Sequence, residues 1–512
     1  MNIPVANSGP PVRARLPSDP GWRFAGAVAC FRSTQRVDAG SAGSHPRTRL
    51  YLCLALLGCT VPQVATAVVP VGRCSDMVGK GGYTLRQAIS LAPEGDTVDL
   101  STVPVTCSTI TLTGGEIPIA QANLTIAGPT SRSVTVSANN ASRVFNHQGT
   151  GTLHIEYLSL ADGHVYNSPG GCLYSKGTVR LDDAAISHCY TANREGGGIY
   201  AKGNITLVGS QVSYSTIAGA GSGGGLFTNQ TAAIKYSTIA HNSASLDGGG
   251  VLAYHVTLAH AIVRSNVSGR DCGGADGHYL AITTSSIDYN TTFGNGGGVC
   301  APGNLTLGQS TLKIGWSTIA HNQAGNGGGV FAIGSHVTVS NSTISTNSGG
   351  GVAVTEGAYG QPTDVAIHNS TIAFNTLPSG FGTGLKGSGT LSSCVLDVIS
   401  TIIAANSGGA NADFVNSGCS VTYSSQFNLV QKTSFLGQNW ISNDPHLGAL
   451  ADNGGSTLTH ALPPGSPAVD HGSNIDGLTT DQRGGTHARV EGPDADIGAY
   501  ELPDRIFADA FE

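Results

Sequence analysis

Ser237-Thr238-Ile239-Ala240-His241-Asn242 returns unchanged at Ser317–Asn322. Close relatives are Ser285-Ser286-Ile287-Asp288-Tyr289-Asn290, Ser342-Thr343-Ile344-Ser345-Thr346-Asn347 and Ser370-Thr371-Ile372-Ala373-Phe374-Asn375. Glycine clusters accompany them at Gly196–Gly198, Gly223–Gly225, Gly248–Gly250, Gly296–Gly298, Gly327–Gly329 and Gly349–Gly351. A repeat of roughly 22 to 33 residues marks a solenoid. Between the glycines, Ile199-Tyr200, Asn204-Ile205-Thr206-Leu207 and Ser210-Gln211-Val212 read as three short strands of period two, separated by Gly and Asn turns. Such strands coil into a parallel β-helix, an all-β fold of about 12 turns at ~4.8 Å per turn.

Aligning the hexapeptides puts Asn242, Asn266, Asn290, Asn322, Asn347, Asn375 and Asn406 in one column, with Cys189 and Ser215 in earlier turns. Asn tolerates left-handed turn geometry and bonds backbone through its amide, so the column predicts a structural ladder. The preceding position reads His188, Tyr214, His241, Ser265, Tyr289, His321, Thr346 and Phe374. Aromatic rings spaced one turn apart on a β surface suit stacking on sugar rings; a duplicated turn filler is the alternative.

The chain has 73 glycines and only 11% charged residues, with a formal net charge of −7. No basic stripe exists to meet phosphates, which excludes nucleic acid as the expected partner. Leu50–Leu57 is strongly apolar, preceded by Arg47 and Arg49 and followed by Ala65-Thr66-Ala67. That pattern over 47–67 reads as a secretory signal, too short to span a bilayer. A rival reading lipidates Cys59 within Leu56-Leu57-Gly58-Cys59. Residues 1–46, rich in Pro and Arg, read as a mis-called start or a disordered extension. Cleavage after Ala67 leaves eight cysteines: Cys74, Cys107, Cys172, Cys189, Cys272, Cys300, Cys394 and Cys419. An even number in an exported chain suggests disulfides, and the lack of a Cys-x-x-Cys pair speaks against zinc. Cys394 and Cys419 lie one repeat apart and predict a stacked pair; Cys74–Cys107 is expected to staple the N-terminal end. The pairing of the other four stays open.

The ends differ from the rod. Leu85, Ala88, Ile89 and Ala92 have helical spacing and predict an amphipathic cap within 74–108, ahead of a β-helix over 109–430. Thr84-Leu85-Arg86-Gln87-Ala88-Ile89 resembles the Leu-Arg-Glu-Ala-Ile opening of secreted bacterial β-helix proteins. The region 431–501 resembles their choice-of-anchor Q segment, on Asp444-Pro445-His446-Leu447-Gly448, Asp452-Asn453-Gly454-Gly455-Ser456-Thr457, Gly465-Ser466-Pro467-Ala468-Val469-Asp470, Asp481-Gln482-Arg483-Gly484 and Asp496-Ile497-Gly498-Ala499-Tyr500-Glu501. The resemblance implies a right-handed, pectate-lyase-like helix, export and surface attachment, and no defined activity. The tail 502–512 is similar to a short terminal tag of some bacterial secreted proteins.

Enzymes of related fold set a test for chemistry. Asp182-Asp183 is an acidic pair, but neighbours on a strand point to opposite faces and cannot act together as acid and base. The richest cluster is the apparent break in the repeat, Arg264, Arg270, Asp271, Cys272, Asp276, His278 and Tyr279, the weak candidate for a catalytic site. Arg264 and Asp288 are expected to form a stacked surface ion pair of little energetic weight. Asp481, Arg483, Asp496 and Glu501 read as a cap tied by Arg483 to a carboxylate. No cofactor or metal is expected. The first functional reading is a monomeric, secreted or cell-surface protein of a bacterial outer envelope that adheres or binds glycan without catalysis. A polysaccharide lyase or glycoside hydrolase near 264–279 is the second, and a structural envelope protein the third.

Overall fold

The computed structural model describes residues 68–503, apart from 304–307, 378–382, 391–392, 409–410, 436 and 438. The expected leader, the extension before it, Cys59 and residues 504–512 of the tail lie outside the described residues. The rest belongs to one compact unit, Val64–Glu512.

This unit is a parallel β-helix. Its strands form three faces. The long face is a 23-stranded sheet, the middle face has 13 strands and the short face has six. One coil runs Ile199–Ala201 and Ile205–Val208 on the long face, Gln211–Ser213 on the middle face and Thr216–Ala218 on the short face. The pairings within these sheets are parallel and keep register from coil to coil, as in Val212↔Ile239↔Val263↔Ile287, with a shift between Thr228 and Thr231 on the long face. The 13 strands of the middle face exceed the dozen turns expected by one.

The hexapeptide explains the coil residue by residue. Its Ile points inward: Ile239, Ile287, Ile319, Ile344, Ile372 and Ile403 are all fully buried, each contributing roughly 2 kcal/mol of apolar burial. Its Asn closes the corner after the middle face. Asn290 Nδ2 donates to Val263 O (2.8 Å) and to Asn322 Oδ1 (3.0 Å), and Asn290 N donates to that same Oδ1 (2.9 Å). The same pattern runs from Asn242 to Asn375, and the ladder ends where Asn406 donates to Asp413 Oδ1 (2.8 Å). Its Ser makes a second ladder that the sequence reading missed: Ser285 N donates to Ser317 Oγ, and Ser317 N to Ser342 Oγ.

The left-handed geometry expected of the column Asn falls elsewhere. The left-handed residue of the corner is the one before Asn. His241, Ser265, Tyr289 and His321 have φ of 56°, 53°, 57° and 57°. The Asn side chain is committed inward to the ladder, so the reversal falls on its neighbour, whose side chain is thereby thrown outward.

The glycine clusters have a steric cause. Gly223 adopts φ 72°, and a Cβ on Gly225 would lie 2.6 Å from Gly250 O and 3.0 Å from the Asn242 amide. Third glycine and ladder Asn therefore need each other. Two coils earlier those two positions hold Cys172 and Cys189, joined as a disulfide. Cys74–Cys107 and Cys394–Cys419 are paired as anticipated, and Cys272–Cys300 is the fourth bridge.

At the N-terminal end, Leu85–Leu91 is a helix whose Thr84 and Gln87 form a capping box. Leu85, Ala88 and Ile89 bury into the core, and Arg86 clamps Asp76 through two 3.0 Å hydrogen bonds. At the other end the chain folds back along the middle face. Thr318 donates to Leu458 O, Thr343 to Gln482 Oε1, and Asn341 to Thr480 O. Ser345 bonds His460, Ala499 N donates to Thr371, and Gly498 N donates to Ser400 O. This return segment covers four successive coils.

Candidate functional site

The aromatic positions before the Asn column form a physical ladder on the corner between the middle and short faces. His188, Tyr214 and His241 stack with centroid spacings of 5.2 and 4.8 Å and interplanar angles of 6°. Tyr289 and His321 stack at 4.7 Å and 12°. Tyr214 and Tyr289 are 49% and 50% exposed, so half of each ring stays in water. The rings face one another along the rod, and solvent meets mostly their edges. That alters the expected platform: a sugar needs a ring face, and a face is open only where the stack stops.

The stack stops in three places. Above His188 the column carries Asp162, which also has a left-handed φ of 55°. Below His321 it carries Thr346, and Phe374 is then half-covered, with His460 of the return segment 4.9 Å from its ring. The third stop is internal, at Ser265, where one ring is missing between His241 and Tyr289. Beside it, Arg264 lies 3.9 Å from Asp288 and its guanidinium sits 5.9 Å from the centre of the Tyr289 ring. Ile262 and Val267 of the same coil are each 40% exposed.

The candidate catalytic cluster divides into two groups. Arg264 is on the middle face, in register with Asp288. Asp276, His278 and Tyr279 are on a strand of the long face, Ala275–Thr283. Arg270 Nε donates to Asp247 (2.7 Å) at the corner of the short face, and Asp271 accepts from Asn295 N (2.7 Å). Nor does the repeat break here. Val251↔Ala275 and Leu252↔Asp276 stay in register, and Cys272 (φ 62°) simply stands where Gly248 and Gly296 stand in adjacent coils.

Asp276 is nevertheless unusual. Its column on the long face holds Tyr174, Tyr200, Phe227 and Leu252 in earlier coils, the first three stacked at 5.6 and 5.5 Å. Burial pushes the Asp276 carboxyl up to about 7, the Asp247 and Asp271 carboxylates push the same way, and Arg270 opposes them. A cavity of about 380 Å³ opens on it, lined also by Asn229, Tyr254, His278 and Pro302. Tyr254 and His278 stack at 5.1 Å, with Tyr279 edge-on to His278 at 4.7 Å. No sequence pattern points to Tyr254 and Asn229, because strand pairing alone brings them to Asp276.

Asp182 and Asp183 do not cooperate: Asp182 bonds His154 (2.9 Å) and Arg180 (2.8 Å), while Asp183 is a left-handed corner residue. The C-terminal acids form a buried clamp. Arg483 pairs with Asp481 at 2.7 Å and lies 3.9 Å over the Tyr500 ring, and Arg489 approaches Glu501 at 3.8 Å. Burial, reinforced by Asp496, pushes the Glu501 carboxyl up to about 7. Among the described residues no group of His, Cys, Asp or Glu is arranged to hold a metal ion.

No family model matches the chain, and no curated protein matches it. Among solved structures it is similar to a crystal structure of pectate lyase Pel9A, at 12% identity and a TM-score of 0.38, over 86% of this chain and 97% of that one. A likeness at that level carries no functional argument, so function has to be argued from the residues of this chain.

Proposed function

We propose that this protein is an exported rod that binds glycan, an adhesion or surface-interaction protein without catalysis. The supporting observation is the exposed ring ladder His188–Tyr214–His241 and Tyr289–His321, whose open ends offer apolar faces in an otherwise Ser- and Thr-rich surface. Four disulfides suit an oxidising compartment. No helix among the described residues is long and apolar enough to cross a membrane. Attachment to a surface through 431–501 completes the reading. The test is retention on immobilised polysaccharides. Replacing Tyr214, His241, Tyr289 and His321 together by Ala should abolish retention; unchanged retention would sink the ladder as a binding surface.

A second reading is kept for Asp276. A carboxyl still half-protonated near neutral pH beside two other carboxylates, opening on a cavity, is an arrangement suited to general acid chemistry on a glycosidic bond. Incubating the protein with neutral and uronate-containing polysaccharides, while following reducing ends and unsaturated-product absorbance, decides it. Turnover lost in Asp276→Asn would make the protein an enzyme; no turnover on any polymer rejects this second reading.

A further inference from the structure

We propose that the break in the ring ladder at Ser265 is a subsite that takes one neutral pyranose unit of a polysaccharide; the proposal rests on the glycan-binding reading and names its ligand class.

Neighbouring rings of the ladder stand 4.7 to 5.2 Å apart. His241 and Tyr289 belong to coils two steps apart, since Ala240↔Arg264↔Asp288 are in register. Two steps make about 9.6 Å. A body one ring thick, placed midway, would lie from each ring at the spacing the ladder already uses. Ser265 has the same left-handed backbone as its neighbours (φ 53°, against 56° for His241 and 57° for Tyr289), so its small side chain stands in the place of the missing ring, with the Arg264 guanidinium bordering the gap on the Tyr289 side. The slot thus has two π faces as walls, and the C–H faces of a pyranose pack on such faces.

The polar side of the slot selects the ligand. Arg264 and Asp288 stand side by side at 3.9 Å, each immediately before a residue of the slot. A guanidinium offers several donors and a carboxylate only acceptors, so the pair can meet adjacent hydroxyls of one sugar ring. The pair is close to neutral as a unit. A sugar carrying carboxylate or sulfate would gain Arg264 but meet Asp288, a like charge, at the same edge. Arg264 already leans over the Tyr289 ring at 5.9 Å, the place a bound sugar would share or take over. Ile262 and Val267, where adjacent coils carry Thr238 and Ser243 or Ser286 and Thr291, add an apolar border to the same coil.

The test uses the full chain and three polymers: a neutral glucan, a neutral mannan and polygalacturonate. Ser265→Tyr fills the slot with a sixth ring between His241 and Tyr289, in a backbone geometry that Tyr214 and Tyr289 already adopt. Ser265→Tyr and Arg264→Ala should each weaken binding to the neutral polymers at least tenfold, with melting temperatures unchanged. Arg264→Ala is a surface change and reports on the slot even if Ser265→Tyr fails to fold. Wild-type affinity in a folded Arg264→Ala and Ser265→Tyr, while the quadruple ring variant loses binding, would overturn the slot and leave the ladder standing. Preference for polygalacturonate would overturn the neutral class. Binding to none of the polymers would overturn both the slot and the ladder.

Discussion

Asn290→Ala measures what the amide ladder contributes. The Asn290 Oδ1 accepts from Asn266 N (3.0 Å) and Asn266 Nδ2 (2.9 Å), and its Nδ2 donates to Val263 O (2.8 Å) and Asn322 Oδ1 (3.0 Å). Truncation withdraws these four bonds at a fully buried site. Asn322 keeps its bond from Asn290 N, and Asn266 Nδ2 keeps its bond to Ile239 O. The Asn266 N–H and the Val263 carbonyl lose the partner that Asn290 supplied. Each such buried group costs about 1–3 kcal/mol, and the small void next to Gly274 adds to it. The expected loss is about 3–5 kcal/mol. Urea titration followed by circular dichroism reads it as a lowered midpoint at unchanged slope. Tyr289→Ala, one residue away but on the outside, is the control and should lose about 1 kcal/mol or less. A loss below about 1 kcal/mol in Asn290→Ala, or equal losses in the two variants, would refute the view that the ladder holds the corner.

Two further outcomes follow from the same geometry. Glu501, pushed from 4.5 up to about 7 in the folded state, keeps a proton that the unfolded chain releases. Stability from this group is therefore complete below about pH 4.5 and is lost as pH rises through about 7, and Asp496, raised chiefly by burial, acts in the same direction. Protection factors, which divide out the base-catalysed rise of intrinsic amide exchange, should be lower at pH 8 than at pH 5 for residues 444–501, with no such change on the upstream coils; the reverse slope would contradict the assignment. Among the disulfides, Cys272–Cys300 and Cys394–Cys419 close similar stretches of 28 and 25 residues, so removing either costs about 3.5 kcal/mol through chain entropy. Cys272 sits at φ 62° in a glycine column, so Cys272→Gly with Cys300→Ala recovers about 1 kcal/mol. Thermal melting should rank that pair above Cys394→Ala with Cys419→Ala, and the opposite order would show that the column position does not matter.

The coil was readable because each column repeats its own chemistry: Ile239 and its counterparts inside, Asn242 and its counterparts at the corner. Two cysteine pairs were readable for the same reason, being one repeat apart or confined to one end. The left-handed corner residue was not. Tyr and Phe carry no local signal for positive φ and His only a weak one, and the conformation is imposed by the Asn amide beside them. The grouping of Arg264 with Asp276 failed because a corner of the helix separates residues that are close in sequence. Conversely, Tyr254 and Asp276 meet only through register, which the sequence does not display. The return of the C-terminal region onto the middle face was invisible too. It is held by scattered polar contacts such as Ser345–His460 and Thr343–Gln482, with no periodicity to betray them.

That return segment divides the molecule by tolerance to change in length. Upstream of Trp316 each coil answers only to the coils above and below it, so a whole coil can be gained or lost without disturbing distant residues. From Thr318 to Ser400 the coils are also measured against a second stretch of chain, which meets them at fixed points from Leu458 to Gly498. A coil inserted there would displace every later point of attachment by about 4.8 Å. In this protein the reach of the rod can vary in its N-terminal half, while the C-terminal half is fixed like a ruled scale.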